Sequence, residues 1–460
     1  MIFSYILCII LLCLCAYILW WSFREPLKLY QFPFFITIAC LIYIVPQLFA
    51  LIEDPYPVSP DYVDLTIFLT ILSLFLFFYG YAKKEGDTQV FNENNKIKTL
   101  DQRIFYIGII YTIIGLVSNL AIGNVDIEQQ RVAQWSGILT VYAFFQRLLY
   151  FGFAINLYFA IIKRNFLYWF VFGISAFWPI FKMLFYARRT EAVTYITIVL
   201  LTLWFIKGVI PQSKLVLIGI VIGFFFINAI GALRSELFQV NIGYSNWQDF
   251  FTFNWIDDWL TAFQNVNWWE ESTKLFQSSK DNEYLSTTNL SETKYAASVI
   301  QVTNETGQFD YGTRYWNRIV FGFIPAQFLG KTFKESLYLQ FNESLQVRIF
   351  DYFSTQTFQT GYILPVMAEL FSQFWFFGFF ICYFIGKQFK NLWLSVNQKP
   401  KISNQLLYPI ALVFTFSLFL GGTDGFIFNL LNFIIFLIPI KYIEFLNSRD
   451  EYSTQKTRNI

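Results

Sequence analysis

Val63-Asp-Leu-Thr-Ile-Phe-Leu-Thr-Ile-Leu-Ser-Leu-Phe-Leu-Phe-Phe-Tyr-Gly-Tyr81 is the stretch whose reading decides the fold. It holds one carboxylate near its start and is otherwise apolar or small, over the roughly 20 residues that a helix needs to cross a hydrocarbon core. Lys83 and Lys84 follow at once, and Glu53, Asp54 and Asp61 precede it. Working outward, comparable runs occur at Ile2–Trp21, Phe34–Leu51, Ile104–Ile122, Ile138–Ile162, Phe166–Phe185, Ala192–Phe205, Leu215–Ile230, Ile363–Ile385, Leu406–Leu420 and Phe426–Tyr442. The expected architecture is an all-α polytopic membrane protein of about eleven transmembrane helices. The first span lacks a basic leader and a good cleavage site, so it reads as a retained helix and not a signal peptide.

Composition agrees. The 460 residues are 56% hydrophobic and only 14% charged, which excludes a soluble multidomain protein. A net charge of +2, with no basic cluster interleaved with aromatics, argues against a nucleic-acid partner. Histidine is absent, so hydrolysis by a Ser-His-Asp triad, histidine metal sites and histidine bases are excluded. Cys8, Cys13, Cys15, Cys40 and Cys382 all lie in apolar spans and read as small buried hydrophobes.

Loop charge orients the spans. Arg24/Lys28, Lys83/Lys84/Lys96/Lys98/Arg103, Lys163/Arg164, Lys207/Lys214, Lys387/Lys390/Lys399/Lys401 and the tail occupy alternate connections, which marks the cytoplasmic side. Residues 1–230 are then transmembrane helices 1–8, residues 231–361 a large, mostly helical extracytoplasmic loop, and residues 362–460 helices 9–11 with a cytoplasmic tail. Within the loop, Trp255, Trp259 and Phe263 recur at helical spacing and predict an amphipathic helix. Ser278–Thr306, rich in Ser, Thr, Asn and Glu, reads as a mobile surface segment. No sequence repeat and no inverted pair of Gly/Pro-broken spans of the transporter kind is visible.

The same threading places Arg131, Arg188, Arg189, Arg234, Arg314, Arg318 and Arg348 outside, against the positive-inside bias. Guanidinium groups kept there point to an anionic ligand, with a pyrophosphate-linked lipid the foremost candidate. Arg314, Arg318 and Arg348 are expected on solvent-accessible loops. Arg147 lies roughly nine residues into its span, and Glu369 roughly seven into its own, where a charge is expensive. The two could form a structural ion pair, or each could face a site. The sequence leaves both open. Asp424 reads as a turn former.

Five elements carry a family resemblance: Arg188-Arg189-Thr190-Glu191-Ala192, Gly231-Ala232-Leu233-Arg234, Phe323-Ile324-Pro325-Ala326-Gln327-Phe328-Leu329-Gly330-Lys331, Gly361 and Glu369 leading into Phe377-Gly378, and Gly421-Gly422-Thr423-Asp424-Gly425 at the last outer turn. In this order the chain, from about Ile104 onward, resembles the bacterial O-antigen and enterobacterial-common-antigen polymerases, the Wzy family of oligosaccharide repeat-unit polymerases. Ala187-Arg188-Arg189 departs from the family's Gly-flanked arginine, so either arginine could be the counterpart.

The resemblance implies a GT-C-like membrane glycosyltransferase in the bacterial cytoplasmic (inner) membrane. Such an enzyme joins polyprenyl-pyrophosphate-linked oligosaccharides, which serve as donor and acceptor, with a chain-length regulator as a further partner. It needs no cofactor or metal. Arg188 or Arg189, with Arg234, would bind the donor pyrophosphate and stabilise its departure. Arg147, Arg314, Arg318 and Arg348 would contribute to substrate binding, and Glu369 would receive or orient the acceptor hydroxyl. An O-antigen ligase shares this architecture, but those families place an essential histidine in the outer loop. A flippase or other transporter is the remaining alternative.

Overall fold

The computed structural model describes residues 2–83, 101–123, 138–185, 189–209, 254–266, 292–324, 326–353, 364–398 and 400–458, with isolated positions between 212 and 233. All regular structure among the described residues is helical. Seven of these helices are long and apolar enough to cross a membrane, or eight if one bent pair counts as a single span. The chain is thus a multi-pass membrane protein. Most of the expected span Leu215–Ile230, together with Arg188, Arg234 and Gly361, lies outside the described residues.

In chain order the helices are α1 (Ile2–Phe23), α2 (Phe32–Glu53), α3 (Pro60–Ala82), α4 (Gln102–Gly123), α5 (Ile138–Phe145), α6 (Leu148–Lys163), α7 (Phe166–Phe185) and α8 (Arg189–Lys207). From the polar stretch come α9 (Asn254–Asn265), α10 (Glu292–Thr306), α11 (Thr313–Phe323), α12 (Ala326–Leu329), α13 (Lys331–Ser336) and α14 (Leu345–Phe353). The last group is α15 (Val366–Phe374), α16 (Phe380–Gln398), α17 (Ile402–Val413), α18 (Thr415–Phe436) and α19 (Ile438–Arg458). The expected tryptophan-bearing helix forms as α9, with the Trp259 and Phe263 rings stacked 5.1 Å apart.

Between membrane helices there is no hydrophobic drive for association, so close approach depends on small residues and packing. Helices α3 and α16 illustrate this. A Cβ added at Gly80 would collide with the Tyr383 carbonyl oxygen, and one at Gly386 with that of Phe77. Around this seam Phe32, Phe77, Tyr81 and Phe389 interlock, the Phe32 and Phe389 rings stacking at 4.3 Å.

Three spans are broken. Between α5 and α6 the chain tightens at Gln146 and Arg147, where the Leu149 and Tyr150 N–H groups bond three residues back. It turns at Trp375 (φ 54°, ψ −144°) between α15 and a 3-10 turn at Trp375–Phe379. In α18 it breaks at Gly422 (φ 74°, ψ 167°). Two helices meet there, within the Gly421–Gly425 stretch that the sequence places as a turn between its last two spans.

A second correction concerns Ser278–Thr306. Residues 278–291 lie outside the described set, but Glu292–Thr306 is not a surface segment. It is α10, sunk against α2, α3, α14 and α15. Ala296, Ala297, Val299, Ile300 and Val302 are fully buried there. Polar side chains fix its outer flank to the end of α2 and the start of α3. Gln47 donates to Glu292 (2.6 Å), Lys294 pairs with Asp54 (2.8 Å), and Gln301 accepts from the Ser59 N–H (2.9 Å). The misreading has a physical cause: threonines, serines and glutamine line the same helix as the buried alanines and valines, and they dominate its composition.

Candidate functional site

The interruption at Gly422 brings together two buried carboxylates, Glu369 and Asp424. Its φ/ψ pair lies in a region accessible in practice only to glycine. A side chain there would also have to displace Glu369 Oε2 and Asp424 Oδ1, each 3.0 Å from the position a Cβ would take. After the break the helix restarts at Thr423, and a restarting helix presents free N–H groups and the positive end of its dipole. Glu369 occupies that end. Its Oε2 accepts from the Thr423 N–H (2.7 Å) and from the Thr423 hydroxyl (2.8 Å). Asp424 stands in the same first turn. The break thus explains why two carboxylates sit inside a bundle of Phe, Leu and Ile.

Helix α11 supplies the counter-charges. It starts after Gly312, whose left-handed backbone (φ 84°) and missing side chain let the Phe374 ring pack close. Arg314 and Arg318, four residues apart, share one helix face. Arg314 Nε reaches Asp424 Oδ2 at 2.9 Å, and Arg318 Nη1 reaches the same oxygen at 2.7 Å. Tyr315, between them, hydrogen-bonds the Thr423 hydroxyl. Asp424 is 1% exposed, whereas the two arginines are 33% and 40% exposed. Two partly exposed arginines therefore close over a sealed carboxylate. The other face of α11 is anchored by the Trp316 indole to the Leu337 carbonyl and by the Asn317 amide, which brackets Leu339.

Electrostatics follow from this layering. Burial works against the charge on Arg314, but Asp424 and Glu369 outweigh it and hold its pKa above the ordinary value. Burial, reinforced by Glu369, pushes the Tyr315 phenol far up, so it acts as a hydrogen-bond donor. Glu369 Oε1 and Asp424 Oδ1 are buried and have no hydrogen-bond partner among the described residues. Orphaned acceptors of this kind are costly unless they face a group that donates to them.

A polar relay positions α11. Arg348 pairs with Asp310 (2.5 Å), and Gln373 donates to Asp310 (3.2 Å) while accepting from the Arg314 N–H (3.3 Å). The expectation of loop arginines is corrected here. Arg314 and Arg318 lie on α11, and Arg348 is a buried residue of α14 that acts through Asp310 and Gln373.

Of the remaining expected residues, Arg147 stands at the α5–α6 break with its guanidinium 5.5 Å from the Phe428 ring centre, and Arg318 is its electrostatic neighbour. It makes no ion pair among the described residues, so the expected alternative of a structural Arg147–Glu369 pair is not what forms. Arg189 opens α8, with its side chain outside the description, and Arg188 and Arg234 lie outside the described residues. Tyr315, Thr423, Asp310 and Gln373 were missed. For Thr423 and Asp424 a signal existed: a Gly-Gly-Thr-Asp-Gly run inside apolar sequence can mark a broken helix as readily as a turn. No group of three or more His, Cys, Asp or Glu that could hold a metal ion occurs among the described residues.

Comparison of the chain with protein-family models, curated proteins and solved structures returns no match.

Proposed function

We propose that the chain is a repeat-unit polymerase of the Wzy kind: a membrane glycosyltransferase joining polyprenyl-pyrophosphate-linked oligosaccharides at the outer face of a bacterial cytoplasmic membrane. The observation that carries this reading is the Gly422 junction, where two partly exposed arginines stand beside two buried carboxylates. In the proposed reaction an acceptor hydroxyl loses its proton to Glu369 and attacks the anomeric carbon of the donor's reducing-end sugar. The bond from that carbon to the lipid pyrophosphate breaks, and the departing anion is stabilised by Arg314 and Arg318, with Arg188 or Arg189 and Arg234 as further contributors. Preplaced guanidiniums can stabilise that charge without a metal.

A second reading rests on a different observation. Two broken helices, α15 and α18, meet at Glu369 and Thr423. Half-helix ends meeting within a bundle are a device by which secondary transporters hold a charged substrate group. A flippase for the same lipid-linked glycan would use that device.

One experiment separates them. Surface glycans of a deletion strain are compared with those of the complemented parent. Loss of long chains with retained single repeats at the surface is the polymerase outcome. Loss of single repeats from the surface as well is the flippase outcome, and unchanged glycans contradict both.

A further inference from the structure

We infer that Tyr315 and Thr423 form a two-hydroxyl relay that carries the acceptor's proton to Glu369, with Tyr315 as the group that meets the acceptor hydroxyl. The inference rests on the polymerase reading and deepens it by adding two residues to its chemistry.

The need for a relay follows from burial. Glu369 is 0% exposed, so a substrate hydroxyl does not touch it in this arrangement. Arg314 and Arg318 open no way in, since both hydrogen-bond Asp424. Among the described residues, the donors to the Glu369 carboxylate are the Thr423 N–H and the Thr423 hydroxyl, both on Oε2. A hydroxyl can take up one proton as it gives up another, which a backbone N–H does not do. Thr423 is itself fully buried, so its hydroxyl leads outward only through a further partner. Tyr315 is that partner, and it is only partly buried.

Proton counting sets the direction. A threonine hydroxyl has one hydrogen, and with Glu369 ionised that of Thr423 goes to the carboxylate. The bond between Thr423 and Tyr315 is therefore donated by the phenol. The phenol oxygen is left with a free lone pair, which suits it to accept from an incoming O–H. In the transfer, the acceptor's proton moves to the Tyr315 oxygen, the phenol proton to Thr423, and the Thr423 proton to Glu369 Oε2. The acceptor oxygen's electron pair forms the bond to the anomeric carbon as the bond to the pyrophosphate breaks. Glu369 ends neutral, and both hydroxyls end intact with their donation reversed. Tyr315 follows Arg314 and precedes Arg318 on α11, so the relay opens beside the guanidiniums assigned to the leaving group.

The test uses the full-length protein in nanodiscs, with lipid-linked single repeats extracted from the deletion strain as substrate. Initial rates give kcat and KM for the wild type, Tyr315→Phe, Thr423→Val, Thr423→Ser and the double variant of Tyr315→Phe with Thr423→Val. Tyr315→Phe and Thr423→Val should each lower kcat by about tenfold or more with KM little changed, a large part of the ~100-fold that general-base help supplies at its lower range. Thr423→Ser returns the hydroxyl and should recover most of that loss. Steps in series fail once, so the double variant should be no worse than the poorer single one, whereas independent packing defects multiply. Wild-type kcat in either Tyr315→Phe or Thr423→Val overturns the relay, as does a loss confined to KM or one that multiplies in the double variant. Should Thr423→Val fail to fold, Tyr315→Phe decides alone, and wild-type kcat in it overturns the relay. An inactive Glu369→Gln beside normal turnover in both relay variants would sink the relay and leave the polymerase reading standing. No turnover by the wild type contradicts that reading, and the relay with it.

Discussion

Helices α10 and α11 come from the same polar stretch, are separated by only a short turn, and do opposite things. Helix α10 is buried almost wholly and packs through Ala296, Ala297, Val299, Ile300 and Val302, with its polar groups spent on fixed partners. Helix α11 has a single fully buried residue, Val320, and presents Arg314 and Arg318 to one buried carboxylate oxygen. The first is a structural wedge and the second is a charged arm resting on it. The difference shows that one polar stretch can divide its work within about thirty residues. One helix holds the stretch to the bundle, and the next presents charge at the Gly422 junction.

That division can be broken from either side. The largest effect should come from Ile300→Asp, which buries an unpaired carboxylate among α3, α10 and α15. The expected outcome is loss of folded protein, read as disappearance of the monodisperse peak when membranes are solubilised and chromatographed. A well-folded Ile300→Asp protein would show that α10 is not a wedge. Next comes Arg318→Lys. The charge stays, but the planar fork and its reach to Asp424 are lost. Folded yield should be unchanged, while polymer formation in a complemented deletion strain falls by about tenfold or more. A fall in yield comparable to that of Ile300→Asp would erase the contrast between the two helices.

The smallest effect concerns the relay that joins them. Burial lifts the Asp310 carboxyl above the usual aspartate range, against the opposing pull of Arg348. The folded state therefore holds this proton more tightly than the unfolded chain does. The associated stability is present in full below the ordinary aspartate pKa and is lost as pH rises through the raised value. Thermal midpoints measured across that acidic window should decline with rising pH more steeply in the wild type than in Asp310→Asn. Parallel profiles would show that Asp310 does not titrate as this geometry requires.

Much of the bundle was legible in the sequence because a membrane span is a one-dimensional signal. Val63–Tyr81 and Phe166–Phe185 were placed to within a few residues of α3 and α7 by apolar length alone. The break at Trp375 was not legible, since it alters direction within an apolar run without altering hydropathy. The site suffered for that reason. Glu369 was found because a lone carboxylate in an apolar run is conspicuous. Asp424 was read as part of a turn, because its glycine neighbours are what both a turn and a broken helix require. Helix α10 was hidden by its own polar composition, because burial there is set by partners on α2, α3 and α15 that no local window contains.

The central claim is that Glu369 takes part in chemistry and does more than cap the restarting helix at Thr423. Glu369→Gln tests it most directly, because the amide keeps the size of the side chain and an oxygen that can accept from Thr423 but does not take up a proton as a carboxylate does. Membrane abundance and glycan chain length are measured together in the complemented deletion strain. The account predicts normal abundance with polymer reduced by at least about a hundredfold, the lower range for loss of general-base help. Normal abundance with a full ladder of long chains would contradict it.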